Sequence, residues 1–222
     1  PQRVLVGPIG MQTANGVVDV AVEDEAEAVA VTRKLLAFFQ GDTEPGIAPD
    51  QNALRDVIPE RRRRAYDVNP LIEMLADADS TVFLRPDFAP EMVTALCRIE
   101  GRAIGVIANN PMHMAGAITS DGGDKAARFM QLCDAFGLPL LSLVDTPGMM
   151  VGPEAEKTGL VRHCSRMLVT AAGMTVPFVA VILRRGYGLG AQAMVAGSLH
   201  DPLLTVAWPG AELGPMGLEG AV

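Results

Sequence analysis

Residues 178–197, FVAVILRRGYGLGAQAMVAG, pass from an unbroken apolar run through closely spaced glycines into a segment of small residues. They read as strand, tight turn and helix start. The run from Phe178 to Leu183, preceded by Pro177, has the β-branched and aromatic content and the length of a buried strand. Gly186, Gly188 and Gly190 then permit positive φ and close approach of other backbone. A helix expected over residues 190–196 would open with N–H groups that lack intrahelical acceptors, a place for negative charge on a ligand or transition state. The chemistry is expected from backbone amides.

Side-chain motifs support this by omission. The three histidines, His113, His163 and His200, stand apart from any serine or cysteine in a nucleophile pattern, and no G-x-S-x-G, H-E-x-x-H or C-x-x-C occurs. Asp121 and Asp124 read as N-caps of a helix over residues 124–136, and their number is too small for a metal site. No metal is expected.

A chain of 222 residues that is 49% hydrophobic can bury a sizeable core. Its longest apolar runs, 138–144 and 176–183, fall well short of the roughly 20 residues of a membrane span, and no signal peptide opens it. Cys97, Cys133 and Cys164, odd in number and widely spaced, suggest buried thiols in a reducing cytoplasm. A net charge of −8 argues against nucleic acid as the partner. The run Arg61 to Arg64 breaks that trend, as a solvated face or as a docking patch for a phosphorylated ligand. The chain begins at Pro1 and closes on Glu219-Gly220-Ala221-Val222 without a terminal helix, so it is expected to be a piece of something longer.

Along the sequence, a strand-like VVDVAV (17–22) precedes a helix at 23–39, and residues 42–64, rich in Pro, Gly, Asp and Arg, read as a linker. From about residue 65 apolar strands alternate with helices. Strands are expected at 103–108, 138–144, 178–183 and 203–208, and helices at 71–78 (with Asn69 and Pro70 as start signal), 90–99, 124–136, 154–172 and 190–196. This is α/β alternation with mainly parallel strands covered on both faces. Glycine-rich loops follow two strands, at 145–152 and after Leu183, and a third loop at 109–116 leaves strand 103–108. In open α/β proteins ligands lie beyond such strand ends, so the three loops are expected to converge.

Two motifs are decoys on this reading. Gly186, Gly188 and Ala191 with Glu212 imitate a dinucleotide fingerprint, but that fold needs further βα units after it. Asp145-Thr146-Pro147-Gly148 imitates a GTPase loop without any phosphate-binding loop beside it.

The combination of Gly101-Arg102, residues 105–110, KAARFMQLC (125–133), Asp134-Ala135-Phe136, Pro139-Leu140, Asp145 to Gly148, Arg162-His163 and Val176-Pro177 resembles the carboxyltransferase (beta-type) subunit of biotin-dependent acyl-CoA carboxylases, in its C-terminal half. The resemblance implies a crotonase/ClpP-like spiral of β-β-α units, with residues 1–41 as the tail of a preceding domain, 42–64 as linker and 65–222 as the C-terminal crotonase-like domain. It implies transfer of a carboxyl group from carboxybiotin, carried on a separate domain or subunit, to the α-carbon of an acyl-CoA, in a site shared between protomers of a homo-oligomer. Biotin carboxylase and biotin carrier components are the implied partners, and fatty acid metabolism in the cytoplasm the implied setting.

On that resemblance, the amides of Gly190 and Ala191, opposed by Gly152, support the ureido oxygen of biotin after release of CO₂, and biotin nitrogen takes the α-proton, so no side-chain base is needed. Gly148, Met149, Val151, Tyr187 and Gly188 fall at the cofactor, and Gln192 and Ala193 at the acyl substrate. YGLGAQA resembles methylcrotonyl-type more than propionyl-type subunits, with Ala193 where an acyl-selecting aspartate would stand, which suggests room for a bulkier acyl chain. A decarboxylase subunit and a non-catalytic assembly module are the alternatives.

Overall fold

A computed structural model describes residues 7–61 and 64–217. Its centre is a seven-stranded mixed sheet in the order β1-β2-β3-β4-β5-β6, with β7 pairing the far end of β5. The strands are β1 (Val82–Leu84), β2 (Met92–Ile99), β3 (Arg102–Asn109), β4 (Leu140–Thr146), β5 (Phe178–Tyr187), β6 (Leu204–Ala207) and β7 (Glu212–Gly214). β1, β2 and β3 run antiparallel, whereas β3 through β6 are parallel, and β7 is parallel to β5. The carboxyl ends of β3, β4 and β5 therefore open on one edge of the molecule.

Helices cover both faces, as the α/β alternation requires. On one face α2 (Glu25–Ala37), α4 (Ser120–Ala135), α6 (Leu160–Ala171) and α7 (Gly188–Met194) enclose a core of Leu96, Ile107, Met130, Val144, Met167 and Ile182. The other face is closed by a 3₁₀ turn, Gln51–Asp56, and by α3 (Asn69–Leu75), which bury Leu54, Leu71 and Ile72 against Val106 and Leu143. Two short helices, α1 (Ile9–Ala14) and α5 (Pro153–Lys157), contribute no buried residue. The three cysteines are free and buried.

Several local expectations are corrected. Residues 90–99, read as a helix, form β2, which pairs with β3 through the two-residue turn Glu100-Gly101, both at positive φ (52° and 78°). β2 is buried along nearly its whole length, so the alternation that marks a strand is missing from its sequence. VVDVAV forms no strand. Instead Asp19 is fixed by Arg85, whose backbone N–H donates to the Asp19 carbonyl and whose guanidinium pairs with its carboxylate at 2.7 Å.

The helix expected over 154–172 is broken by Gly159, which adopts a left-handed conformation and separates α5 from α6. α3 starts without a side-chain cap, and Asp67, not Asn69, accepts the first free N–H, that of Asn69 itself. Thr119 caps α4, leaving Asp121 in the first turn and Asp124 engaged by His163 (2.7 Å) and Arg166 (2.7 Å). β5 runs on through Arg184, Arg185, Gly186 and Tyr187, so Gly186 is a strand residue and the turn falls later than expected.

The expected linker is strapped to the sheet. Asp77, buried at the end of α3, accepts from the N–H groups of Gly46, Glu100 and Gly101, and Thr43 donates to the Gly101 carbonyl. Segment 42–47 and the β2–β3 turn thus share one carboxylate. α2 packs on the same core, with Phe38 buried beside it. Arg62, Arg63 and residues 218–222 lie outside the described residues.

Candidate active site

Three loops meet at the carboxyl ends of β3, β4 and β5. Segment 113–118 forms a one-residue parallel bridge with the loop after β4, where Ile118 N–H donates to the Gly148 carbonyl (3.1 Å) and Met150 N–H donates to the Ile118 carbonyl (2.8 Å). Thr146 Oγ1 closes that loop on itself, donating to the Gly148 carbonyl and accepting from the Gly148 N–H. The opening of α7 then lies on the loop so closely that a Cβ at Gly190 would stand 2.6 Å from the Gly148 carbonyl carbon and 2.9 Å from the Met149 nitrogen. Only glycine permits that seam.

The polar support beneath it is a buried carboxylate. Asp145, fully buried, receives Arg184 Nε at 2.9 Å on one oxygen and Arg185 Nε at 2.8 Å on the other. Arg184 also lies over the Tyr66 ring at 5.0 Å. Burial, with the Asp145 charge adding to it, pushes the Tyr66 phenol far above its ordinary range, so it stays protonated. Arg185 reaches further and donates from Nη2 to the Ala115 carbonyl at 2.8 Å. One carboxylate and two arginines therefore tie all three loops together.

The site residues expected from sequence divide accordingly. Gly148, Met149, Val151 and Gly152 lie on the β4 loop, with Val151 exposed and Gly152 at φ 110° as the N-cap of α5. Gly188 has positive φ (58°) and opens α7 after Tyr187, whose hydroxyl donates to Glu212. Gly188, Leu189 and Gly190 are the first three residues of α7, so their N–H groups have no acceptor within the helix. Gln192 is exposed, while Ala193 has no exposed surface and belongs to the core, so it lines no open space.

A cavity of about 330 Å³ adjoins this edge between the β4 loop and the start of α4. Met114, Met150, Val151 and Leu160 supply apolar walls, and Thr119, Ser120 and Thr158 supply hydroxyls. Its walls do not include Gly190 or Ala191. Sequence reading missed this cavity and the Asp145–Arg184–Arg185 cluster; the signal available was an Arg-Arg pair at the end of an apolar strand, where charge has no reason to be buried without a partner. Among the described residues no group of His, Cys, Asp and Glu is placed to hold a metal ion, and no helix is long and apolar enough to cross a membrane.

Comparison with known proteins fits this geometry. The model of the family described as "Carboxyl transferase domain" matches residues 3–222. The chain belongs to that family. This carboxyl transferase domain is 39% identical over 217 residues to an uncharacterized carboxylase, YngE, of Bacillus subtilis, covering 94% of this chain and 42% of that protein. It is 39% identical over 223 residues to the biotin-dependent acetyl-/propionyl-coenzyme A carboxylase beta6 subunit of Mycobacterium tuberculosis, covering 98% of this chain and 47% of that one. Among solved structures, a single-chain, multi-domain long-chain acyl-CoA carboxylase shares 51% identity with a TM-score of 0.96 over 98% of this chain and 22% of that chain.

Transcarboxylase 12S, solved as a hexamer with methylmalonyl-coenzyme A bound, matches at 34% identity and a TM-score of 0.87, over 96% of this chain and 42% of that chain. The domain thus spans a little under half the length of its curated relatives, and it has the crotonase-like α/β fold of carboxyltransferases.

Proposed function

We propose that this domain is the C-terminal half of a carboxyltransferase that moves a carboxyl group from carboxybiotin to the α-carbon of an acyl-CoA. The observation that carries the reading is the seam of Gly190 on Gly148, which brings the start of α7 and the β4 loop together at the strand ends with no side chain between them. That contact leaves no room between the two backbones and fixes the opening of α7 against the β4 loop, at whose edge the biotin ring would lie. Gly148, Met149, Val151 and Gly188 would hold that ring, and the N–H groups that open α7, those of Gly190 and Ala191 among them, would support an oxygen that gains charge. When bound, biotin supplies the transferable carboxyl group.

Fixed N–H dipoles in a water-poor site stabilise such charge by about 3 kcal/mol for a single well-placed donor. The His163 ring is held by Asp124, and on this reading the biotin nitrogen, not a side chain, takes the α-proton. Copies of the same protein completing the site, together with biotin carboxylase and biotin carrier components in the cytoplasm, belong to the same reading. So does an acyl chain longer than acetyl, supported by the 51% identity to a long-chain acyl-CoA carboxylase. The test uses the complete protein that carries this domain, with carboxylated biotin carrier and acetyl-, propionyl-, branched- and long-chain acyl-CoA in turn. Carboxyl loss from the carrier is expected only with acyl-CoA, fastest with the longer chains; no transfer to any of them overturns the reading, and equal rates with acetyl-CoA overturn the preference.

A further inference from the structure

The segment between β3 and α4 is strained. Met114 and Ala115 have φ of 47° and 53°, and Gly116 follows at 80°, three successive residues in the left-handed region of which two carry a Cβ. Each such non-glycine residue is sterically disfavoured and persists only where its surroundings fix it. Gly116 is forced as well, because a Cβ there would meet the Asp145 carbonyl oxygen at 2.3 Å. Two ties hold this segment in place. On one side Ile118 is bridged to the Gly148–Met150 loop. On the other, Arg185 spans from the buried Asp145 carboxylate to the Ala115 carbonyl, with 2.8 Å at each end.

We propose that Arg185 is a positioning residue, clamping the strained segment 114–116 so that Met114 and, through Ile118, the Gly148–Met150 loop take the geometry that carboxyl transfer needs. The inference rests on the functional reading above. Arg185 is suited to the task because its planar fork serves two acceptors in different directions, which a lysine ammonium on a flexible stem does not reproduce. Releasing the Ala115 carbonyl lets the segment relax toward ordinary backbone angles. That withdraws the Met114 wall of the cavity and loosens the Ile118 bridge, while Asp145 keeps Arg184 as its partner.

The test compares Arg185→Lys with wild type in the complete protein. Lysine retains a charge for Asp145 but loses the tie to Ala115. Amide hydrogen exchange at Ile118 and Met150, both donors in the bridge, is expected to accelerate at least tenfold in the variant, with exchange in β2 and α4 unchanged and the melting temperature within about 3 °C. kcat for carboxyl transfer is expected to fall tenfold or more at an unchanged KM for acyl-CoA, and added guanidinium to restore part of the loss in Arg185→Ala. Unchanged exchange at Ile118 and Met150, or a kcat equal to wild type, overturns the clamp. If wild type transfers no carboxyl group, the functional reading fails instead, and the exchange measurement still decides the clamp.

Discussion

At Gly190 the room for a side chain is already occupied: a methyl group there would lie 2.7 Å from Gly148 Cα and 2.6 Å from its carbonyl carbon. Neither atom belongs to a flexible side chain, so relief requires α7 and the β4 loop to part. A displacement near an ångström at a reacting centre typically costs on the order of 10²-fold in rate. Gly190→Ala is therefore expected to lower carboxyl transfer about 100-fold while the protein still folds, as followed by steady-state kinetics and circular dichroism. Full activity in that variant would favour a non-catalytic assembly module. The three glycines of this turn look equivalent in sequence, but the structure uses each differently. Gly188 alone needs positive φ, Gly190 needs close approach, and Gly186 sits inside β5 with Leu213 against it. Spacing reveals that small residues are required; which constraint each one answers depends on contacts from Gly148 and Leu213, distant in sequence. Ala193 teaches the same lesson, because its place in the core is set by the packing of α7 on the sheet and not by its neighbours in the chain.

Among the elements, α4 has an N-cap whose hydroxyl serves two partners. Thr119 Oγ1 accepts from the Gly122 N–H at 3.1 Å and donates to the buried carboxylate of Glu91, so one hydroxyl caps the helix and satisfies a charge beneath it. Removing an N-cap hydroxyl costs roughly 0.5–2 kcal/mol, and loss of a donor to Glu91 places this case at the upper end. For a domain of this length that corresponds to a fall of about 4–8 °C in melting temperature for Thr119→Ala, with Thr119→Ser close to wild type, measured by thermal unfolding. Equal melting of Thr119→Ala and wild type would show the cap to be dispensable. The parallel strands β3, β4, β5 and β6 and the main helices were legible because each is a continuous apolar run or a 3.6-residue pattern between turn residues. β2 was not. Its sequence, MVTALCRI, lacks alternation because it is buried on both faces, and only the turn at Glu100-Gly101, sitting between two apolar runs, marks it as half of a hairpin. β7 and the cap at Thr119 depend on partners far along the chain, Arg185 to Tyr187 for the one and Glu91 for the other, so no local pattern announces them.

Across the whole molecule, buried titratable groups impose opposing pH dependences on folding. Lys125 is buried and donates to the carbonyls of Arg85, Phe88 and Ala89, and desolvation brings its pKa down to about 8 despite attraction from Glu91. The unfolded lysine keeps its proton to about 10.4. Between those values the unfolded chain binds more protons, so the cost of burying the ammonium, fully present below pH 8, is relieved as pH rises. The thiols act in the opposite sense. Burial pushes Cys97 and Cys133 up to about 12 and Cys164 up to about 11, whereas unfolded cysteine ionises near 8.5–9. Above that point the unfolded chain gains by releasing three protons that the folded protein retains, and stability falls by up to about 1.4 kcal/mol per pH unit for each. Three thiols outweigh one lysine, and above pH ~10 the protonated Tyr66 phenol adds to the loss. Urea unfolding under reducing conditions is therefore expected to give a shallow rise from pH 7.5 to a maximum between about 8 and 9, then a steep decline. Lys125→Met should flatten the rise without altering the decline, and Cys97→Ala should reduce the slope of the decline by about one proton without touching the rise. A wild-type profile that stays level to pH 10 would mean that the thiols ionise in the folded protein as readily as in the unfolded one, and that the packing around β2, α4 and α6 excludes less water than their burial implies.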